Sequence, residues 1–295
     1  MVKHITPITN QCVCCGSIET LKSPAILMPF VAHRVFGYEP VEISKDWDLE
    51  PYGIKAGWSY FRCNTVSCSS CQHLFLDVRF TDDQMSNLYD KYREEEYTTL
   101  REHYEIGYTS RNDRLISGNN YVHKIEEFIS PYLDWTTPLS ILDWGGDTGK
   151  NTPFNKGCSL LHIFDISKKE AIEKAVIVDE EEIMKNSYDI VVSCNVLEHI
   201  PYPLDLVNTL KKHMTPKTLL YIELPYENLI HAAEERGDLP EVYKKKRHWH
   251  EHINFFNFNS IKALVENSGL TLLDIKKTPI TEEASSHIFQ VLCLK

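Results

Sequence analysis

The sequence predicts an α/β protein with a small metal-stapled unit in front of it. Three observations predict this. Apolar strands alternate with helical stretches after residue 130, six of the nine cysteines crowd into the first 71 residues, and a charged, aromatic stretch at helical spacing separates the two regions. A chain of 295 residues accommodates two units at about 150 residues each.

Residues 1–80 are short runs punctuated by Pro24, Pro29, Gly37, Pro40, Pro51, Gly53 and Gly57, and helical periodicity is absent there. Two stretches read as strands, Trp58 to Arg62 and His73 to Val78. Cys12 and Cys15 form one C-x2-C and Cys68 and Cys71 a second. Two such knuckles place four thiolates around a tetrahedral Zn²⁺, and Gly16 allows the tight turn after the first. Cys14 and Cys63 are spare, and a ligand set that includes Cys63 stays open. A lone cysteine is more often a small buried hydrophobe, but pairing sets these four apart. Four thiolates close the coordination sphere, so the expected zinc is structural.

Residues 81–130 read as a helical connector or lid. Met85, Leu88, Tyr89 and Tyr92 recur at helical spacing, with Thr81 or Asp82 as the cap. Residues 131–295 carry strands at Leu139 to Asp143, Leu161 to Asp165, Tyr188 to Ser193 and Thr218 to Glu223, with a helix from Pro203 to His213. Strands that are apolar throughout and separated by helices imply a parallel sheet covered on both faces.

Charge narrows the function. Lys and Arg number 31 against 42 Asp and Glu, a net charge of −11, and the cations of residues 1–80 are scattered. Nucleic acid is therefore not the expected partner. No apolar run approaches the eighteen or so residues of a membrane span. The first residues lack the apolar core of a secretory leader, which predicts a cytoplasmic protein without a disulfide framework.

The strand ending in Ile141-Leu142-Asp143 runs into Trp144-Gly145-Gly146-Asp147-Thr148-Gly149-Lys150. Glycines let a ligand approach the backbone, and a helix start behind them offers unpaired N–H groups. Asp165 ends the next strand, where a carboxylate accepts ribose hydroxyls. Together these features point to an adenosine-containing ligand. The G-x-G-x-x-G of a dinucleotide site is missing.

Here the chain resembles the class I S-adenosylmethionine-dependent methyltransferases. Asp143, Gly145 and Gly149 match their first motif, with Gly146 shifted by one and Asp147 in place of the central glycine. Tyr188 to Ile200 resembles their fourth strand and following loop. The resemblance covers residues 135–295 and implies a Rossmann-like seven-stranded methyltransferase sheet. It places Gly145 and Gly149 at the methionine end of the cofactor, Asp165 at the ribose and Asp179 or Glu180 near the adenine. Asn195 would approach from the fourth strand's end.

Arg247 to Phe256 holds His248, His250 and His252 in five residues. If extended, the three share one face and suit a metal. Acid–base work with Glu251 as the orienting group is a second reading, and a solvated loop is a third. Asn259 or Ser260 is expected to cap the next helix and Gly269 to end it, which makes the segment a lid between strand and helix. The paired knuckles, the stretch Arg101-Glu102-His103-Tyr104 and the His-Glu-His segment resemble the sugar C-methyltransferases and the methyltransferases of surface polysaccharides. That resemblance implies a nucleotide-linked sugar or polysaccharide precursor as acceptor. It makes His199, Glu251 and His252 the polar catalytic groups, with Tyr92 or Tyr97 nearby and Trp249 where the family usually has a tyrosine.

Bland readings stand beside these. His199 and Glu198 suit a helix cap or a buried hydrogen bond, Tyr97 the buried side of a helix, and Lys244 to Arg247 a solvated face rather than a diphosphate site. Carbon and oxygen acceptors both stay open. Two alternatives are an RNA methyltransferase with a zinc recognition module and a cofactor-binding protein without turnover.

Overall fold

The structure, a computed structural model, describes residues 8–45, 55–110, 112, 121–167, 169–226, 236–237, 248–249, 251–280 and 287–295. The front of the chain forms β1 (Thr20–Leu27), α1 (Pro29–Phe36), β2 (Val41–Ile43), β3 (Gly57–Ser59), β4 (Arg62–Cys68) and β5 (Leu74–Leu76). The connector holds α2 (Asp82–Tyr89), α3 (Glu95–Tyr104) and α4 (Val122–Ile129). Then come β6 (Ser140–Trp144), β7 (Leu160–Phe164), β8 (Val176–Ile177), α5 (Glu180–Ile183), β9 (Ile190–Cys194), α6 (Pro203–Lys212) and β10 (Leu219–Tyr226). The chain closes with β11 (His248–Trp249), β12 (Asn254–Phe255), α7 (Phe258–Ser268), β13 (Thr271–Pro279) and β14 (His287–Leu294).

The expected parallel sheet is present. Seven strands run in the order β13-β14-β10-β9-β6-β7-β8. The five strands from β10 to β8 are parallel, while β14 and β13 return antiparallel on one side. Along β9 the side chains alternate between two cores. Val191 packs with Val207, Leu210, Ile261 and Leu264 of α6 and α7, and Ile190 and Val192 pack with Ile125, Phe128 and Ile129 of α4. A strand buried on both faces must be mostly apolar, which is why these strands were legible. The order reverses at β6, whose neighbours are β7 and β9. Such a reversal opens a crevice at the strand C-termini.

Local signals set the helix ends. Thr81 caps α2 in a reciprocal pair with Gln84. The cap of α7 is Asn257 rather than the expected Asn259 or Ser260; Ser260 is its partner one turn on. Gly269 ends α7 with φ at +64°, as expected. One helix lies where the sequence shows no helical period: α1 starts on Pro29 and buries Phe30, Val31, Ala32 and Val35. Two turns framed by Pro29 and Gly37 are too short to show a period.

The second sheet has the order β11-β1-β4-β5-β12. Its centre is local, with β1 antiparallel to β4 and β4 antiparallel to β5. Both edges come from the far end of the chain: β11 adds parallel to β1, and β12 pairs Asn254 with Phe75 and Phe255 with Leu74. The expected lid is thus anchored at both described ends as sheet. Arg79, fully buried, staples the layers by donating to the carbonyls of Leu76, Pro201 and Ile253 and to Asn254 Oδ1.

Candidate active site

The turn after β6 leaves no room for a side chain at Gly145 or Gly146. A Cβ on Gly145 would lie 2.4 Å from Val196 Cγ2, and one on Gly146 2.6 Å from the Asp143 carboxylate. Gly145 and Gly149 have φ of +86° and +79°, a region that favours glycine. Asp147 adopts φ +51°, which Asp tolerates better than most residues. Its carboxylate is paired with Arg93 at 3.4 Å and Lys169 at 3.1 Å, so the departure from glycine is tied to the connector.

Asp143 lies beneath the turn, accepting a hydrogen bond of 2.6 Å from Thr152 Oγ1. Burial pushes its carboxyl up to about 7. A folded value above the ordinary 3.8 means that the native state holds the proton more tightly, so stability falls as pH rises from about 4 to 7. Asp143→Asn removes this dependence. Its stability advantage over wild type is expected to grow across that window to about 4 kcal/mol, measured as unfolding midpoints at stepped pH. A constant difference would refute the shift.

Asp165 follows β7 directly and faces the same turn. It accepts from the Asp147 N–H at 2.8 Å and from the N–H and hydroxyl of Ser167 at 2.8 and 2.6 Å. Asp179 caps α5 by accepting from Glu182 N at 2.9 Å. Asn195, left-handed at φ +53°, is exposed at the end of β9. Its Nδ2 donates to the buried Glu223 at 2.8 Å, and Tyr121 donates to the same carboxylate at 2.7 Å.

The four residues expected to be catalytic come together. Glu251 accepts a 2.6 Å bond from Arg101, and the same guanidinium donates to Tyr97 Oη at 3.4 Å. Burial pushes the Glu251 carboxyl up, but Arg101 and the neighbouring imidazoles hold it at about 2. His199 Nδ1 lies 3.3 Å from the Glu251 carbonyl, and its ring meets that of His252 edge-on at 4.8 Å. Burial, and then the adjacent His252, lower His199 to about 4, so it is neutral at pH 7. Tyr97 is buried and its phenol is pushed well above the ordinary value by burial and by Glu251. The cluster adjoins the glycine turn twice. Val196, three residues before His199, packs on Gly145. On the other side Arg93 joins Asp147 and lies 4.8 Å from the Tyr92 ring, which meets Tyr97 at 5.3 Å.

Two further members, Arg101 and Glu198, had no catalytic role assigned from the sequence. Arg101 sits one turn after Tyr97 on α3, a spacing that shares a helix face. Glu198 is fully buried, with its carboxyl pushed up to about 7 by burial. Of the other candidates, His250 and Lys244 to Arg247 lie outside the described residues, as do the side chains of His248 and Trp249.

The two cysteine knuckles meet. Cys12 and Cys71 approach to 3.5 Å between sulfurs, Cys15 and Cys68 to 3.5 Å, and all four sulfurs lie within 4.8 Å of one another. These separations suit four thiolates at about 2.3 Å from one zinc. Cys63 lies apart, in the core with Leu74 and Leu76. The knuckles pack on the core around α6 and α7, and Gln72 is held by Asn257 at 2.7 Å and Asn259 at 2.8 Å.

Residues 114–275, more than half of the chain, match a family model described as a methyltransferase domain. No curated protein matches the sequence. Among solved structures, the chain is similar to the 1,6-didemethyltoxoflavin-N1-methyltransferase of Burkholderia thailandensis. The identity is 14%, over 68% of this chain and 89% of that one, with a TM-score of 0.45. It is also similar to the magnesium protoporphyrin IX methyltransferase of Synechocystis PCC 6803, at 14% identity over 67% and 99% with a TM-score of 0.44. The glycopeptide N-methyltransferase MtfA aligns at 10% identity over 60% and 90%, with a TM-score of 0.44.

Proposed function

The chain belongs to the methyltransferase-domain family, and from that premise we propose that it transfers the methyl group of S-adenosylmethionine to a small carbohydrate acceptor. The acceptor is a nucleotide-linked sugar or a precursor of a surface polysaccharide. The observation that carries this reading is the cluster against the glycine turn in which buried Tyr97 and Arg101 hold the half-buried Glu251, His199 and His252.

The residues present fit the cofactor. Gly145 and Gly149 bend the turn through left-handed φ, Gly145 and Gly146 sit tight on Val196 and the Asp143 carboxylate, and the Asp165 carboxylate faces the same turn. Asn195 stands at the end of β9, and Asp179 is the candidate for the adenine end. The bound cofactor supplies the activated methyl group. The protein's part is to position the acceptor and remove its proton. His199 is neutral, and Arg101 fixes Glu251, which in turn fixes His199 through its carbonyl. His199 or His252 takes the acceptor proton, while Tyr97 and its neighbours exclude water. A carbon acceptor needs in addition a donor for the enolate oxygen, which the second imidazole supplies.

Zinc on Cys12, Cys15, Cys68 and Cys71 is proposed as structural, because four thiolates leave no position for substrate. Among the described residues no helix is long and apolar enough to cross a membrane, and we place the work of this protein in the cytoplasm.

The test is transfer of labelled methyl from S-adenosylmethionine into separate acceptor fractions: nucleotide sugars with and without a 4-keto group, surface polysaccharide, and total RNA. Label is expected in the nucleotide-sugar or polysaccharide fraction. Dependence on the keto group would mark carbon as the acceptor, and label only in RNA would overturn the carbohydrate reading.

A further inference from the structure

The active cluster contains one buried charge that the proposed transfer does not use. Glu198 exposes none of its surface, and neither carboxylate oxygen accepts a hydrogen bond from a described residue. A buried carboxylate is unfavourable unless a proton or a cation neutralises it.

The groups around it are those that hold cations. His199 Nε2 lies 3.8 Å from Glu198 Oε1. One ligand atom from each of Glu198, His199 and His252 falls within 4.8 Å of the other two. The orientation of His199 matters most. A hydrogen bond from its Nδ1 to the Glu251 carbonyl, 3.3 Å away, places the ring proton on that nitrogen. The Nε2 lone pair is then left on the side of Glu198. A second hydrogen bond of this kind, from the non-ligating nitrogen to a carbonyl, is what orients a metal-bound imidazole.

The backbone brings the three residues together from two distant segments. The Glu198 carbonyl accepts from Ile253 N at 2.8 Å and Asn254 N at 3.0 Å. Asn254 Nδ2 donates back to the carbonyls of Leu197 and Ile200 at 2.9 and 2.7 Å. This clamp fixes the two stretches of backbone from which the three side chains project.

We propose that Glu198, His199 and His252 form a binding site for a divalent first-row transition metal within the active cluster. Two imidazoles and a carboxylate suit such ions, and three protein ligands leave open positions. The inference rests on the methyl-transfer reading for its role: the ion takes an acceptor oxygen, hydroxyl or ketone, and polarises it. With the ion in place, His199 and His252 act as ligands, and the acceptor proton passes instead to a hydroxide held at another open position of the ion, leaving the acceptor's electron pair to take the methyl group.

Manganese(II) is the probe, because the four-thiolate cluster selects softer ions. Full-length protein is freed of labile metal with EDTA, checked for retained zinc, and titrated with Mn²⁺ by electron paramagnetic resonance. One equivalent is expected to bind, with modulation from imidazole nitrogen in pulsed spectra. His199→Ala, His252→Ala and Glu198→Gln are each expected to weaken binding by about tenfold or more, with zinc content unchanged. Absence of the nitrogen signal in the wild-type protein would overturn the site even if every variant misfolds, and so would binding that ignores both histidine substitutions. The two readings fail separately. Undiminished methyl transfer in EDTA would overturn the metal's role and leave the transfer intact. Manganese binding at these residues in a protein that labels no fraction would support the site and refute the transfer.

Discussion

Replacing Cys68 with Ser is expected to lower the thermal midpoint by about 10 °C or more and to release one equivalent of zinc. Cys68 ends β4 and is buried against the same core as Val207 and Leu264, so opening the thiolate cluster loosens a layer on which α6 and α7 rest. In small zinc modules the metal supplies an apparent 10–16 kcal/mol or so of folding free energy. Even a third of that, spread over a domain of this size, shifts the midpoint by roughly this amount. Cys63→Ser is the control, since Cys63 is buried outside the four-sulfur group, and its zinc content is expected to match wild type. Elemental analysis and thermal unfolding on the same samples decide the matter. A wild-type protein with less than about half an equivalent of zinc would refute the structural metal.

Arg101→Met is expected to destabilise the protein by about 3–5 kcal/mol at pH 7 and to abolish methyl transfer. The guanidinium is almost fully buried, and its bonds to Glu251 and Glu105 are 2.6 and 3.0 Å long. Removing it leaves the half-buried Glu251 carboxylate beside the phenols of Tyr97 and Tyr92, with its main cation gone. The sign of the pH effect follows. In the wild type, Glu251 is held at about 2 against an ordinary 4.5, so its contribution is present above about 4.5 and fades as pH falls towards 2. The variant lacks that contribution, and its Glu251 resists ionisation. The stability gap between the two proteins is therefore smallest near pH 2–3 and widest at neutrality. Adding Glu251→Gln to Arg101→Met is expected to recover part of the loss. A gap that does not change with pH would remove Glu251 as the cause.

The sheet was legible because the physics there is local. A parallel strand buried on both faces has to be mostly apolar, and β6, β7, β9 and β10 each carry Leu, Ile or Val in succession, with polar interruptions only at Asp143, His162, Ser193 and Glu223 among their buried positions. The cysteine pairs were legible for a similar reason: a thiolate ligand has few substitutes, and its spacing repeats. The His199, Glu251, His252 and Tyr97 group was reached through a resemblance, and the physics of the contacts explains why composition alone did not reach it. Its members come from α3, the turn after β9 and the segment before β12, and Arg101, named in sequence only as part of a resembling stretch, shows its organising role through contacts to Glu251 and Tyr97 that no local pattern encodes. The return of His248–Trp249 and Asn254–Phe255 to the first sheet was invisible because two-residue strands carry no period. The capping of α7 by Asn257 depends on where the chain leaves β12, a tertiary fact that the neighbouring Asn259 and Ser260 imitate.

The borrowed edges of the five-stranded sheet bear on how the chain is made. Arg79 and Ile253, joined across that sheet, are 174 residues apart, and β12 covers the edge of β5 only once its residues exist. At a synthesis rate of roughly 5–20 residues per second, the front of the chain waits on the order of 10–30 s on the ribosome with Leu74 and Phe75 on an open strand. Uncovered apolar edges of that kind invite pairing between chains. Pairings of such long range also slow the closing step. The yield of folded protein is then governed by the delay between the two ends, and slower translation or crowded expression penalises this fold before any property of the finished enzyme comes into play.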